Sequence, residues 1–325
     1  MTNQSEIVSR NPFDPARRRC LQLVAGVALL GSRVGTAGAA DDAVPNSSGI
    51  ARPRNGMPAL ACDAHLHIID ARFPMSPGAK ALQGATMADY RRLQQRMGTT
   101  RAVLVQPKVH GTNHDCMLDA IAQSGGTARG IGVLHPGVAD AELRRLDAGG
   151  IRGLRFSVWN PADTVTTVDM IEPLARRIAD LGWHVQLHMS ADQIIEQASL
   201  IERLPCTVVF DHMGRLPPAQ GIRHPAFAFL RGLMEREKAW VKLSGPYLNT
   251  AVGAPGYADA MAVARAWIQA APDRLVWGSD WPHTTEVHGK PDDAELFDLF
   301  ASAAQDRSVM QRILVGNPAR LYRFS

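Results

Sequence analysis

Eight short apolar runs recur along this chain, and histidines or carboxylates gather at their C-terminal ends. The runs cover 60–67, 101–107, 129–135, 151–157, 183–189, 206–212, 239–244 and 274–280. Between them lie stretches with apolar residues at helical spacing, such as 138–148, 167–181 and 257–271. Strand and helix alternating eight times, at roughly 25–35 residues per repeat, predict a single-domain α/β chain folded as a (β/α)8 TIM barrel. A doubly wound dinucleotide-binding sheet is disfavoured, because no Gly-rich phosphate loop follows the first run.

The run ends carry the chemistry. The first closes Cys62-Asp63-Ala64-His65-Leu66-His67 and the fifth Gln186-Leu187-His188. The sixth closes Phe210-Asp211-His212 and the eighth Gly278-Ser279-Asp280-Trp281-Pro282-His283. Side chains alternate faces along a strand, so every second residue looks into a barrel. This parity puts Asp63, His65 and His67 on one inward face, His184, Gln186 and His188 on another, and Val208, Phe210 and His212 on a third. Arg155, Ser244 and Asp280 likewise come last on their faces, at the C-terminal mouth where barrel enzymes place their reactive groups.

A lone His-x-His is weak evidence, because histidines often fill polar niches in a core. Joined to His188 and Asp280, His65 and His67 make a mixed nitrogen and oxygen set that suits one Zn²⁺ with water in the open position. Asp63, one step deeper, either orients an imidazole or accepts buried hydrogen bonds from backbone.

The first 40 residues read as a removable leader rather than part of the barrel. Arg17-Arg18-Arg19 precedes an 11-residue apolar stretch from Leu21 to Gly31, and Ala37-Gly38-Ala39 offers small residues for cleavage. That stretch is too short for a membrane span, and paired arginines ahead of it point to twin-arginine (Tat) export to the periplasm or beyond, with no stable membrane anchor. Residues 41–58, rich in Ser, Asn, Pro and Gly, read as a linker, and 59–325 as the barrel. The leader holds five of the arginines against two acids, so the net charge of +4 falls to +1 without it. A nearly neutral body leaves no electrostatic footprint for nucleic acid. Three cysteines remain, Cys62, Cys116 and Cys206, too few and too odd in number for a disulfide framework.

Several segments resemble the amidohydrolase-2 group of the amidohydrolase superfamily. They are DAHLHI (63–68), VQPKVHGTNH (105–114), GIRGLRF (150–156), VVFDHMGR (208–215), VKLSGPY (241–247), GSDWPH (278–283) and GNPARLY (316–322). The likeness spans 61–324 and is strongest to the branch around 2-pyrone-4,6-dicarboxylate lactonase and sulfomuconolactone hydrolase. It implies a hydrolase that opens a small lactone of a carboxylic acid. Asp280 would be the base acting on water, His212 the group that polarises the carbonyl, and His65 and His67 would flank the scissile bond.

The resemblance also places Arg155, Gln106, His110, Tyr247 and His283 among the substrate contacts. For Arg155 the alternative is an internal ion pair, and Lys242 reads as such a pair. Leu248 follows Tyr247 where the branch tends to have arginine, and His110 stands where tyrosine is common, so one carboxylate contact is open. Metal-assisted and metal-free versions of the reaction both occur in the group, and His188 favours the metal. A decarboxylase or a lactone isomerase could use the same groups. A periplasmic solute-binding protein would need two lobes, which eight even repeats do not supply. The partner is therefore a small molecule, with oligomeric state open. Replacing Arg17, Arg18 and Arg19 by lysine is expected to keep the precursor in the cytoplasm, read by fractionation; unchanged delivery would refute Tat export.

Overall fold

The structure, a computed structural model, describes residues 43–325, so the expected leader lies outside the described residues. Eight parallel strands run in sequence order, as the repeat predicts. They are β1 (Cys62–Leu66), β2 (Arg101–Val105), β3 (Ala128–Gly132), β4 (Ile151–Ser157), β5 (His184–His188), β6 (Val208–Phe210), β7 (Ala239–Leu243) and β8 (Leu275–Trp277). Helices follow the strands: α1 (Met87–Met97), α2 (Asp115–Ala122), α3 (Asp140–Ala148), α4 (Ile171–Ile178), α5 (Ala191–Glu196) with α6 (Ala198–Arg203), α7 (Pro225–Glu235), α8 (Ala258–Ala270) and α9 (Asp293–Ala304). Two short helices, α10 (Arg307–Gln311) and α11 (Asn317–Tyr322), end the chain.

Two apolar clusters hold this arrangement. The larger joins outward residues such as Leu104, Leu154, Leu187, Phe210 and Leu243 to the helices. A smaller one fills the barrel with Cys62, Ala64, Val103, Val105, Ile131, Val209 and Val276. Cys62 and Cys116 are buried, and none of the three cysteines is paired.

Face alternation holds at β5, β7 and β8 and along β4 from Gly153, and fails at β1 and β6. On β1, Cys62 and Ala64 face the interior, while Asp63 bonds Tyr90 of α1. The pairing of β1 with β2 then slips between Asp63 and Leu66, a bulge that turns His65 and His67 inward. Asp63 therefore does not share their face. On β6 the inward residues are Val209 and Asp211, not Val208 and Phe210. His212 reaches the mouth through a left-handed turn: His212, Met213, Gly214 and Arg215 have φ of 49°, 59°, 73° and 49°. Non-glycine residues rarely hold this conformation, so surrounding contacts must impose it. Asn249 and Trp267 do so by donating to the carbonyls of His212 and Met213.

No ladder pairing joins β8 back to β1; side-chain and loop bonds close that seam. Asp63 Oδ1 accepts from the amides of Ser279 and His65, and Oδ2 from the hydroxyls of Ser279 and Tyr90. The amide of Asp280 donates to the His65 carbonyl, and that of His67 to the Trp281 carbonyl, both over 2.8 Å. Gly278 permits this approach, since a Cβ there would fall 2.5 Å from His65 Cβ. Burial pushes the Asp63 carboxyl up to about 6 against the hydrogen bonds from Ser279.

The stretch expected to be a linker is tied to the barrel from Pro45 onward. Trp281 donates to the Pro45 carbonyl, Arg96 to the carbonyls of Ser48 and Gly49, and Arg54 pairs with Asp298. Asp63→Ala would strand two backbone donors and the Tyr90 hydroxyl in the interior. The expected loss is roughly 3 kcal/mol or more, read as a fall of about 6 °C or more in the thermal midpoint.

Candidate active site

The end of β1 and the loops after β1, β6 and β8 bring a carboxylate and three imidazoles together. Asp280 Oδ1 lies 3.5 Å from His65 Nε2 and 3.6 Å from His67 Nε2. The His65 ring stands 5.1 Å from that of His67 and 4.8 Å from that of His212. Asp280 itself has a left-handed backbone, φ 65°, so the turn after β8 aims its side chain back over the mouth. Its other oxygen accepts from the Tyr247 hydroxyl over 2.7 Å. The expected catalytic set of Asp280, His212, His65 and His67 is thus one cluster.

Charge below the mouth is paired. Asp211, fully buried, receives a 2.9 Å bond from Arg155 Nε and sits 3.3 Å from His65 Nδ1. Lys242 donates to the Ala64 carbonyl over 2.8 Å and lies 4.0 Å from Asp211, the structural pairing expected of it. Burial lowers the Lys242 ammonium to about 8. Burial opposes ionisation of Asp211, yet His65 and Arg155 hold its carboxyl well below the usual range. Asp280 is held low in the same way by His212, His67 and His65, again against burial. Burial pushes His65 and His188 well below the usual imidazole range and His212 down to about 4, so these rings are neutral at pH 7.

The five expected substrate contacts do not form one face. His110 spends both ring nitrogens on loop backbone, 2.8 Å from the Pro74 carbonyl and 3.4 Å from the Asp70 amide. Gln106 gives its amide hydrogens to the carbonyls of Gly111 and Asn113. Tyr247 and His283 bond each other, with Asp280 on one side and Asp293 on the other. Arg155 borders a small cavity with Gln106, Lys108 and Ser157 while keeping its bond to Asp211.

Sequence reasoning gave no role to Asp211 or Arg215, though both stand in the motif that supplied His212. The Arg215 guanidinium lies 4.6 Å from the Trp159 ring, and burial lowers it to about 10. Trp159 stacks on His188 with ring centres 6.2 Å apart and is 46% exposed. Position alone marks these residues; nothing in their spacing does.

The donors fit a divalent ion in part. One nitrogen each of His65 and His67 and one oxygen of Asp280 lie within 4.8 Å of one another. His67 Nδ1 donates to the Val105 carbonyl, which leaves the Nε2 lone pair facing the cluster. His65 Nε2 is buried without a hydrogen-bond partner. His188, expected as a fourth ligand, is outside this group: its Nδ1 bonds Ser157 Oγ at 3.0 Å and its ring packs on His212. Three protein donors with an open position are the usual arrangement of a catalytic zinc. Titration with Zn²⁺ or Co²⁺ is expected to show one site that His67→Ala weakens strongly and His188→Ala leaves near wild-type affinity. Equal losses in both variants would restore His188 to the ligand set.

Comparison with known proteins agrees with this geometry. The family pattern described as Amidohydrolase matches residues 62–324. The chain is 36% identical over 282 residues to a 2-pyrone-4,6-dicarboxylate hydrolase of Comamonas testosteroni, covering 83% of this chain and 92% of that protein. It is 35% identical over 273 residues to a 4-sulfomuconolactone hydrolase of Rhizobium radiobacter, covering 82% and 91%. Among solved structures, a probable 2-pyrone-4,6-dicarboxylic acid hydrolase from Acinetobacter baumannii, with citric acid bound, superposes with a TM-score of 0.71. That match has 28% identity and covers 82% of this chain and all of the other. With the barrel, the strand-end cluster and the match over 62–324 in agreement, the chain belongs to the amidohydrolase family.

Proposed function

We propose that this protein is a hydrolase that opens a small lactone bearing a carboxylate or similar anion, using a water activated at Asp280. One observation carries the reading: Asp280 presents a single oxygen to two imidazoles while Tyr247 holds the other. The relatives named as lactone hydrolases support the ester class. Arg155, which borders the small cavity while paired with Asp211, and Arg215 beside Trp159 support an anionic substrate, since guanidinium pairs well with planar carboxylates. The leader expected over residues 1–40 supports an exported enzyme.

The residues divide the work as follows. Asp280, ionised, takes the proton of the attacking water and returns it to the leaving alkoxide or enolate. His212 sits 3.0 Å from Ser244 Oγ through Nδ1. With the serine donating there, the Nε2 hydrogen is left to stabilise the developing oxyanion, and a neutral imidazole is suited to that task. A divalent ion held by His65, His67 and Asp280 would supply Lewis acidity and ease ionisation of water. Lys242 and Arg155 keep Asp211 charged and in place beneath His65.

A panel of lactones, including 2-pyrone-4,6-dicarboxylate and 4-sulfomuconolactone, tests the reading when run in H₂¹⁸O. Ring opening with label in one carboxylate is expected; unlabelled rearranged lactone would show an isomerase, and carbon dioxide release a decarboxylase. Asp280→Asn keeps the shape and removes the proton acceptor. Turnover should fall by roughly 10²–10⁴-fold with the fold retained and metal content measured on the same sample. The pH profile has a defined sign. His212 is neutral above about 4, so kcat/KM should hold as pH falls and drop only as the pH passes through about 4. A limb near the ordinary histidine value of about 6.5 would contradict this role.

A further inference from the structure

Behind Asp280 and the Tyr247 that holds it stand two buried side chains, His283 and Asp293, that the hydrolytic reading leaves without a task. The Tyr247 hydroxyl, which donates to Asp280 Oδ2, lies 2.9 Å from His283 Nδ1. His283 Nε2 lies 3.2 Å from Asp293 Oδ2. His283 and Asp293 are both buried, at 0% and 1% exposure, so water does not compete for these contacts. Tyr247 carries one hydroxyl hydrogen and gives it to Asp280, so its second contact takes a hydrogen from His283 Nδ1. The bond to Asp293 needs one further hydrogen, carried on Nε2 or on the Asp293 carboxyl.

Each link is anchored independently. His283 has a left-handed backbone, φ 53°, and its carbonyl accepts from Lys290 Nζ over 2.7 Å. Asp293 opens the 12-residue helix α9, where the helix dipole favours a carboxylate, and its amide donates to Ser47 Oγ. Ser47 belongs to the segment tied along the barrel, so the line runs from that segment to the mouth. A carboxylate that reacts through one oxygen gains from having the other fixed, because rotation about its last bond would exchange the two.

We propose that Asp293, His283 and Tyr247 form a positioning chain that locks Asp280 with Oδ1 towards the histidines. None of the three needs to touch substrate; they act through Asp280. The inference rests on Asp280 being the reacting carboxylate.

The test uses Asp293→Asn and Tyr247→Phe in the full protein, with metal content measured. Both should stay folded and lose about 10–100-fold in kcat, while KM stays within about twofold. A second readout needs no substrate. In protein labelled with ¹³C at aspartate carboxyls, the Asp280 signal, assigned by its loss in Asp280→Asn, should shift in both variants. A shift caused by Asp293→Asn crosses two intervening side chains, which simple packing would not produce. Wild-type kcat with an unmoved Asp280 signal would overturn the chain, as would a lowered thermal midpoint with kcat and signal unchanged. If Asp293→Asn fails to fold, Tyr247→Phe decides the question by the same two readouts. If wild-type protein opens no lactone, the functional reading fails by itself, and the carboxyl signal still decides for or against the chain.

Discussion

The carboxylate of Asp63 is the interaction on which the rest depends. Strand β8 stops at Trp277, and no backbone ladder ties it to β1. Four donors converge on Asp63 instead, two of them from Ser279. Burying a carboxylate is costly, and the upward push on its protonation shows that the cost is felt. The return is geometric: the bonds that shut the seam also set Asp280 beside His65 and His67. Barrel closure and site assembly are one event in this molecule.

Above the seam, the electrostatics follow from pairing at depth. Asp211 collects Arg155, Lys242 and His65 around itself. At the mouth, burial keeps His212 neutral and the surrounding imidazoles keep Asp280 charged, the two states the proposed reaction requires. Removing Lys242 would disturb the balance without altering a residue that meets substrate.

Much of this was legible in the sequence, and the losses have physical causes. Repeat spacing gave all eight strands, and alternation placed Arg155, Gln186 and Lys242 correctly, because regular strands obey period two; Asp280 reaches the mouth as expected, but through the left-handed turn after β8. Alternation misplaced Asp63 and Val208 because a bulge and a left-handed turn break that period, and no local pattern announces either. The resemblance placed His110 and Gln106 among the substrate contacts, and Gln106 does line the small cavity beside Arg155. Their actual partners are backbone groups of irregular loops, which only the folded chain brings near. His188 ends its strand as expected and packs on His212, yet its Nδ1 bonds Ser157 and the ring stands outside the close group of His65, His67 and Asp280. The stretch before residue 59 reads as a linker by composition, since its bonds are made by distant side chains such as Arg96, Trp281 and Asp298.

The seam also has a meaning in time. His65 and His67 are made early, whereas Asp280 lies more than two hundred residues later on the chain. A growing polypeptide therefore carries half a site for most of its synthesis, imidazoles without the carboxylate that faces them. Even β8 is held from behind by the last helix, where Asn317 donates to the Leu275 carbonyl. Chemistry in this barrel begins only when its ending has been written.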